Sequence, residues 1–134
     1  MPSLGLVIAQ FYDELAAEME RSARGAAADR GAEIGETIPV PGAYDTPLAA
    51  DRLARKDAIE AVCVLGPVVS GDTDHDDVIV RTAAQALTDV SLDRDTPVSL
   101  GVLGPGMSMA EARERTGKGA EAVDSALDQL EALA

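Results

Sequence analysis

Imidazole is the side chain that moves protons near neutral pH, and this chain contains one histidine, His75. Ahead of it runs Ser70-Gly71-Asp72-Thr73-Asp74, a small polar stretch that leads straight into a helical pattern. Exposed N–H groups and the positive dipole end make such a helix start an anion site, with the Thr73 hydroxyl as an added donor and phosphate as the natural ligand. Asp72, Asp74, Asp76 and Asp77 crowd the same place and serve equally well as caps and dipole partners, so an anion there requires a dedicated cation. Arg115 and Lys118 are the best suppliers, within one subunit or across an interface. The three aromatic residues, Phe11, Tyr12 and Tyr44, are the second chemical signal. All three fall just past strand-like runs, on one rim, where a flat ligand stacks as readily as a ring covers the sheet end. Cys63 is the only cysteine, which excludes an intrachain disulfide and a zinc cluster built on thiolates; a single histidine excludes any site needing two imidazoles.

These residues need a frame, and apolar periodicity supplies a regular alternation of short strands and longer helices. The run Leu4 to Ala9 is continuously apolar, as in a strand buried on both faces. Asp13 to about Arg30 follows as a helix with Leu15, Ala16, Met19 and Ala23 at helical spacing and acids in its first turn. Ile34 to Val40 reads as a more exposed strand that Pro39 and Pro41 push towards an edge. Thr46 caps a helix whose first residue is Pro47. Ile59 to Leu65 is the second buried strand. A helix from about Asp74 to Asp93 follows, its inner stripe formed by Val78, Ile79, Thr82, Ala83, Ala86 and Val90. Pro97 to Leu103 is the last strand. Ser108 and Glu111 form a capping box that opens the closing helix, with Gly117 to Gly119 marking a break. The order β-α-β-α-β-α-β-α predicts an α/β, flavodoxin-like three-layer sandwich with a four-stranded parallel sheet. Ligands in such sheets bind beyond the carboxyl ends of the strands where the strand order reverses.

Composition bounds the class of function. With 134 residues and 46% hydrophobic side chains the chain reads as one domain, 1–134, with one core. Its 24 acidic against 11 basic residues leave a formal charge of −13, which repels nucleic acid and anionic lipid. The apolar run from Ala61 to Gly71 is far short of the roughly 20 residues of a membrane span, and no basic-then-apolar leader opens the chain, so a cytoplasmic location is expected. Lys56 and Lys118 are the only lysines, and the acids are scattered rather than gathered into a tail. That pattern suits a halophilic protein, in which concentrated salt screens the self-repulsion.

The chain resembles the lumazine synthase family of riboflavin biosynthesis, in particular its short archaeal form. The resemblance runs through LGLVIAQFYDEL, VPGAYDTPLAADRL, LGPVVSGDTDHDDVIV and TPVSLGVLGPGMSMAEARER. Its most specific part is Gly-x-Thr-x-His at Gly71, Thr73 and His75 together with Pro41 to Asp45. It implies a transferase, 6,7-dimethyl-8-ribityllumazine synthase, that condenses 5-amino-6-(D-ribitylamino)uracil with 3,4-dihydroxy-2-butanone 4-phosphate and needs no metal, nucleotide or flavin. By the same resemblance Phe11 stacks on the pyrimidine, Ala43, Tyr44 and Asp45 hold the ribityl chain, and Pro67, Val68 and Val69 line the heterocycle pocket. Asp72 and Thr73 hold the phosphate, and His75 transfers protons. Leu100 and Arg115 come from the neighbouring subunit, Arg115 as the phosphate cation, with Arg113 exchanging for it if the register slips by two. Asp45 stands where many members have Glu, and Leu100 where many bacterial members have an aromatic ring. The family assembles as pentamers, in many members twelve of them in a 60-subunit icosahedral capsid. The loop around Thr116 to Gly119 is shorter than in the bacterial capsid formers, which leaves pentamer, decamer and 60-mer open.

Three rivals share parts of this pattern. An archaeal riboflavin synthase relative would consume the lumazine, but it needs no phosphate site of the GDTDH kind. A phospho-acceptor receiver domain could use Asp13, yet the turns after the third and fourth strands lack its acceptor Asp and its Lys. A shell-forming homologue, valued for assembly rather than chemistry, overlaps the first reading.

Overall fold

The computed structural model describes residues 1–70 and 75–134. Four parallel strands form one sheet in the order β2-β1-β3-β4: β1 (Ser3–Ala9), β2 (Glu33–Val40), β3 (Ala61–Pro67) and β4 (Val98–Leu103). The helices are α1 (Asp13–Asp29), α2 (Thr46–Ala54), α3 (His75–Arg94), α4 (Met109–Glu114) and α5 (Lys118–Ala132), with a single 3₁₀ turn at Ala43–Asp45. This is the α/β sandwich expected from the alternation of elements.

Strand periodicity divides the core into two layers. Leu4, Leu6, Ile8, Ala61, Cys63 and Leu65 point to the face covered by α1 and α5, whereas Val7, Val62 and Val64 point to the face covered by α2 and α3. The central strands β1 and β3 are buried on both faces, as their unbroken apolar runs require. Edge strand β2 is half exposed and carries Pro39, as expected of an edge. Helix α1 buries Leu15, Ala16, Met19, Ala23 and Ala27 along one stripe and ends where Gly31 takes φ +70°. The Ser108 hydroxyl accepts from the Glu111 N–H and the Glu111 carboxylate accepts from the Ser108 N–H, which completes the expected capping box of α4. None of the described helices is long and apolar enough to cross a membrane.

Two local expectations are corrected. Thr46 lies inside α2 rather than at its cap: its buried hydroxyl donates to the Ala43 carbonyl at 2.8 Å, and Asp45 precedes the helix. In α3 the buried stripe is Val80, Ala83, Leu87 and Val90, while Val78 is 59% exposed and Thr82 and Ala86 flank the stripe. The segment carries apolar residues on two adjacent stripes, and the spacing of 3, 4 and 3 residues sets the first of them squarely on the sheet. Boundaries also move slightly, because Ile59 N–H bonds to Lys56 in a turn and β3 begins only at Ala61. Helix α3 starts at His75; Asp74 lies outside the described residues.

Candidate active site

Strand order reverses between β1 and β3, since β1 pairs with β2 on one side and with β3 on the other. Chains leaving these strands diverge to opposite faces and open a crevice at their carboxyl ends. There a cavity of about 490 Å³ lies between the segments after β1, β2 and β3 and the start of α3, a volume ordinary for a small-molecule site.

Each wall follows from local structure. Phe11 and Tyr12 come straight off β1; Phe11 is 75% exposed, while Tyr12 packs against the core beneath α1. After β2, Pro41 and Gly42 lead into the 3₁₀ turn, which presents Ala43, Tyr44 and Asp45 to the cavity. The Gly42 N–H donates to Asp45 Oδ2 at 3.0 Å, so this carboxylate closes its own turn. Pro67, Val68 and Val69 continue β3 into the floor. His75, Asp76 and Ile79 come from the first turns of α3, with Ile79 one turn beyond His75 on the same helix face.

A second cavity of about 550 Å³ lies at the carboxyl end of β4, lined among others by Gly104, Met107, Glu114, Arg115 and Lys118. Arg115 sits in the break between α4 and α5 and Lys118 opens α5, both near the break expected at Gly117 to Gly119. The two cavities meet back to back along one contact. Val68 N–H donates to the Leu103 carbonyl at 2.8 Å, and Gly104, at φ +104°, leaves no room for a Cβ against the Val68 carbonyl oxygen. Only glycine fits there, which places the wall of one cavity directly behind the wall of the other.

Of the residues singled out in the sequence, Phe11, Ala43, Tyr44, Asp45, Pro67, Val68, Val69 and His75 therefore line one cavity. Arg115 lines the other, and Arg113 lines neither. Leu100 stands on edge strand β4, 41% exposed, away from both cavities. Asp72 and Thr73 lie outside the described residues. Sequence reading did not single out Ile79 or Asp76 as site residues. Ile79 was counted as core, although its position four residues after His75 placed it on the site-facing side.

Charges around the site are ordered by local bonds. The Gly106 N–H and the Ser70 hydroxyl hold the Asp76 carboxyl below its usual pKa, and the Ser108 cap together with the Arg115 charge does the same for Glu111. Burial pushes the Cys63 thiol, deep between sheet and α5, up to about 11.

Comparison with known proteins finds relatives along nearly the full length of the chain. Residues 2–134 match the family model described as 6,7-dimethyl-8-ribityllumazine synthase. A protein of that name from Halobacterium salinarum is 61% identical over 133 residues, covering 99% of this chain and 100% of the relative. One from Halorubrum lacusprofundi is 59% identical, covering 99% of both chains. One from Methanococcus maripaludis is 42% identical, covering 99% of this chain and 97% of the relative.

Proposed function

The chain belongs to the 6,7-dimethyl-8-ribityllumazine synthase family, a transferase of riboflavin biosynthesis, and we propose that its two cavities divide the work of that reaction between neighbouring subunits. The reaction joins 5-amino-6-(D-ribitylamino)uracil to 3,4-dihydroxy-2-butanone 4-phosphate. The 5-amino group and the ketone form an imine with loss of water, phosphate is then expelled, and ring closure with dehydration gives 6,7-dimethyl-8-ribityllumazine. Every bond-making step requires a proton to move, and none requires an electron carrier.

The observation that carries the assignment of roles is the convergence of Phe11, Tyr44 and His75 on one cavity at the strand-order switch. Phe11, exposed and held from behind by Tyr12, stacks on the pyrimidine, while Ala43, Tyr44 and Asp45 take the ribityl hydroxyls and Pro67, Val68 and Val69 receive the heterocycle. His75 carries protons between the reacting atoms, a contribution of roughly 10²- to 10⁴-fold. Asp72 and Thr73 hold the phosphate, with Arg115 as its cation. Arg115 lies in the second cavity, which supports its service to the site of an adjacent subunit, with Leu100 on the free edge of β4 closing that site from the same side. Its place there beside Lys118 favours it over Arg113. Holding both reactants at fixed separation supplies much of the remaining acceleration.

The whole chain is one lumazine synthase domain in this reading, cytoplasmic and assembled as a homopentamer, with decamer and the 60-subunit icosahedral capsid of twelve pentamers as the higher assemblies that its mass distinguishes. The formal charge of −13 and the identity with relatives from Halobacterium and Halorubrum support halophilic adaptation. Absorbance of the protein in molar KCl with both substrates tests the assignment. The lumazine band grows above the uncatalysed rate and slows when His75 is replaced by Ala; equal rates for both proteins would remove His75 from its role. Light scattering on the same sample gives the assembly.

A further inference from the structure

Asp76 follows His75 in the first turn of α3, and its carboxylate ties together three pieces of chain. Its Oδ2 accepts a hydrogen bond from the Gly106 N–H at 2.9 Å and another from the Ser70 hydroxyl at 3.3 Å. Ser70 belongs to the segment leaving β3, and Gly106 to the turn leaving β4. Backbone bonds already join those two segments, from Val68 N–H to Leu103 and from Ser70 N–H to the Met107 carbonyl, both 2.8 Å. What those bonds leave open is where the first turn of α3 sits relative to the pair. The Asp76 carboxylate supplies that connection, one residue from His75.

We propose that Asp76 is a positioning residue for this reaction: through Ser70 and Gly106 it holds the His75 end of α3 against the paired segments that separate the two cavities. The inference rests on the assignment of His75 as the proton-transfer group. Both bonds converge on the same oxygen, and the depressed carboxyl pKa agrees with a carboxylate that accepts rather than donates. An acid that merely complements the helix dipole would act through its charge alone and would need neither partner. A displacement of about 1 Å at a reacting group costs up to 10²-fold, so a lost anchor beside His75 is felt in turnover before it is felt in binding.

Steady-state kinetics of Asp76→Ala, Asp76→Asn, Ser70→Ala, His75→Ala and the double variant His75→Ala/Asp76→Ala decide it, with oligomer mass and melting temperature recorded alongside. Asp76→Ala lowers kcat about tenfold, while KM for the pyrimidine stays within about twofold. Asp76→Asn, whose amide oxygen in the place of Oδ2 still accepts from both Gly106 and Ser70, stays near the parent. Ser70→Ala falls between. The double variant is no slower than His75→Ala, because the anchor acts through the histidine. Parent-like kcat in Asp76→Ala overturns the proposal, as does an Asn variant as slow as Ala or a full further loss in the double variant. If Asp76→Ala fails to assemble, Ser70→Ala with full turnover overturns it instead. A His75→Ala protein with unchanged rate removes the underlying assignment, whatever Asp76 does.

Discussion

The rings of Phe11 and Tyr12 meet edge to face, their centroids 4.9 Å apart and their planes at 80°. The two neighbours have opposite surroundings: Tyr12 is half buried against the α1 core, and Phe11 is 75% exposed over the cavity. Tyr12 thus fixes the ring that is left free to stack. Phe11→Ala should raise KM for the pyrimidine by roughly three- to tenfold, the equivalent of about 0.5–1.5 kcal/mol of ring contact, and leave the melting temperature unchanged. Tyr12→Ala should lower the melting temperature. A stable protein with normal KM after loss of Phe11 would count against stacking at this position.

His75 and Arg115 line different cavities of the same chain, and the proposed sharing of one site between subunits predicts that it can be rebuilt from two damaged ones. His75→Ala and Arg115→Ala homo-oligomers should each be slow, the second chiefly through a raised KM for the butanone phosphate. After the two are unfolded together at equal amounts and reassembled, about one interface in four should pair an intact His75 with an intact Arg115. Activity should then exceed that of either parent. No recovery in a properly assembled mixture would place both residues in one subunit's site.

Much of this arrangement was legible in the residues themselves, for reasons that also mark where it was not. Apolar runs of strand length suit a sheet covered on both faces, so Leu4 to Ala9 and Ile59 to Leu65 announced β1 and β3 and, with them, the crevice. Phe11, Tyr44 and His75 were visible because each type is rare in this chain and each follows a strand. Helix α3 was misjudged by a rotation, since Val78 continues an apolar stripe into solvent while Ile79 packs beside Val80 against Val68 and Val102, and spacing alone cannot tell which of two stripes is buried. Thr46 was misjudged because a hydroxyl at a helix start can accept from the helix or donate to the turn before it. Asp76 was hidden among four acids, and its bond to the Gly106 N–H, thirty positions away, lies beyond any local pattern.

Gly119, at the start of α5, lies so close to α1 that a Cβ would strike the Met19 carbonyl oxygen and crowd its carbon. Backbone cannot swing aside as a side chain can. Gly119→Ala should therefore destabilise the protein by about 1–3 kcal/mol even though alanine is the better helix former. Gly25, in the middle of α1 with open space around its Cα, is the control, and Gly25→Ala should stabilise by up to about 1 kcal/mol. Chemical denaturation of both variants at one salt concentration reads the difference, and a neutral Gly119→Ala would contradict the packing of α5 on α1.

Asp51 in α2 accepts from Arg94, at the end of α3, at 2.9 Å, and also bonds Arg55 one turn on. Arg94 first, then Arg55, holds its carboxyl below the usual pKa. A depressed folded-state pKa gives stability that is present above the ordinary carboxylate range and lost as pH falls through the lowered value. Stability should therefore be flat around neutrality and decline in acid, and Arg94→Met should lower stability at pH 7 and flatten the acid decline by a matching amount, leaving stability at low pH nearly unchanged. Urea midpoints across pH at fixed salt measure this; a slope unchanged by Arg94→Met would show that the pair is too well screened to matter.

Cys63 turns salt dependence into a chemical signal. It is the sole cysteine, it is fully buried between β3 and α5, and burial raises its thiol to about 11, so the folded chain offers an alkylating reagent almost no thiolate at pH 7.5. An unfolded thiol, at its ordinary pKa, reacts readily. In molar KCl, where the Debye length shrinks to about 3 Å, the repulsion behind the formal charge of −13 is screened and labelling by iodoacetamide should be slow. Dialysis into dilute buffer should release that repulsion, open the sheet and let Cys63 label to completion within the unfolding time, with far-UV dichroism lost in parallel. Since reagent reaches the sulfur only when α5 leaves the sheet, labelling reports the fold rather than the surface. A thiol that stays protected in dilute buffer would mean that packing alone holds the chain together, and that its acidity serves solubility without being needed for stability.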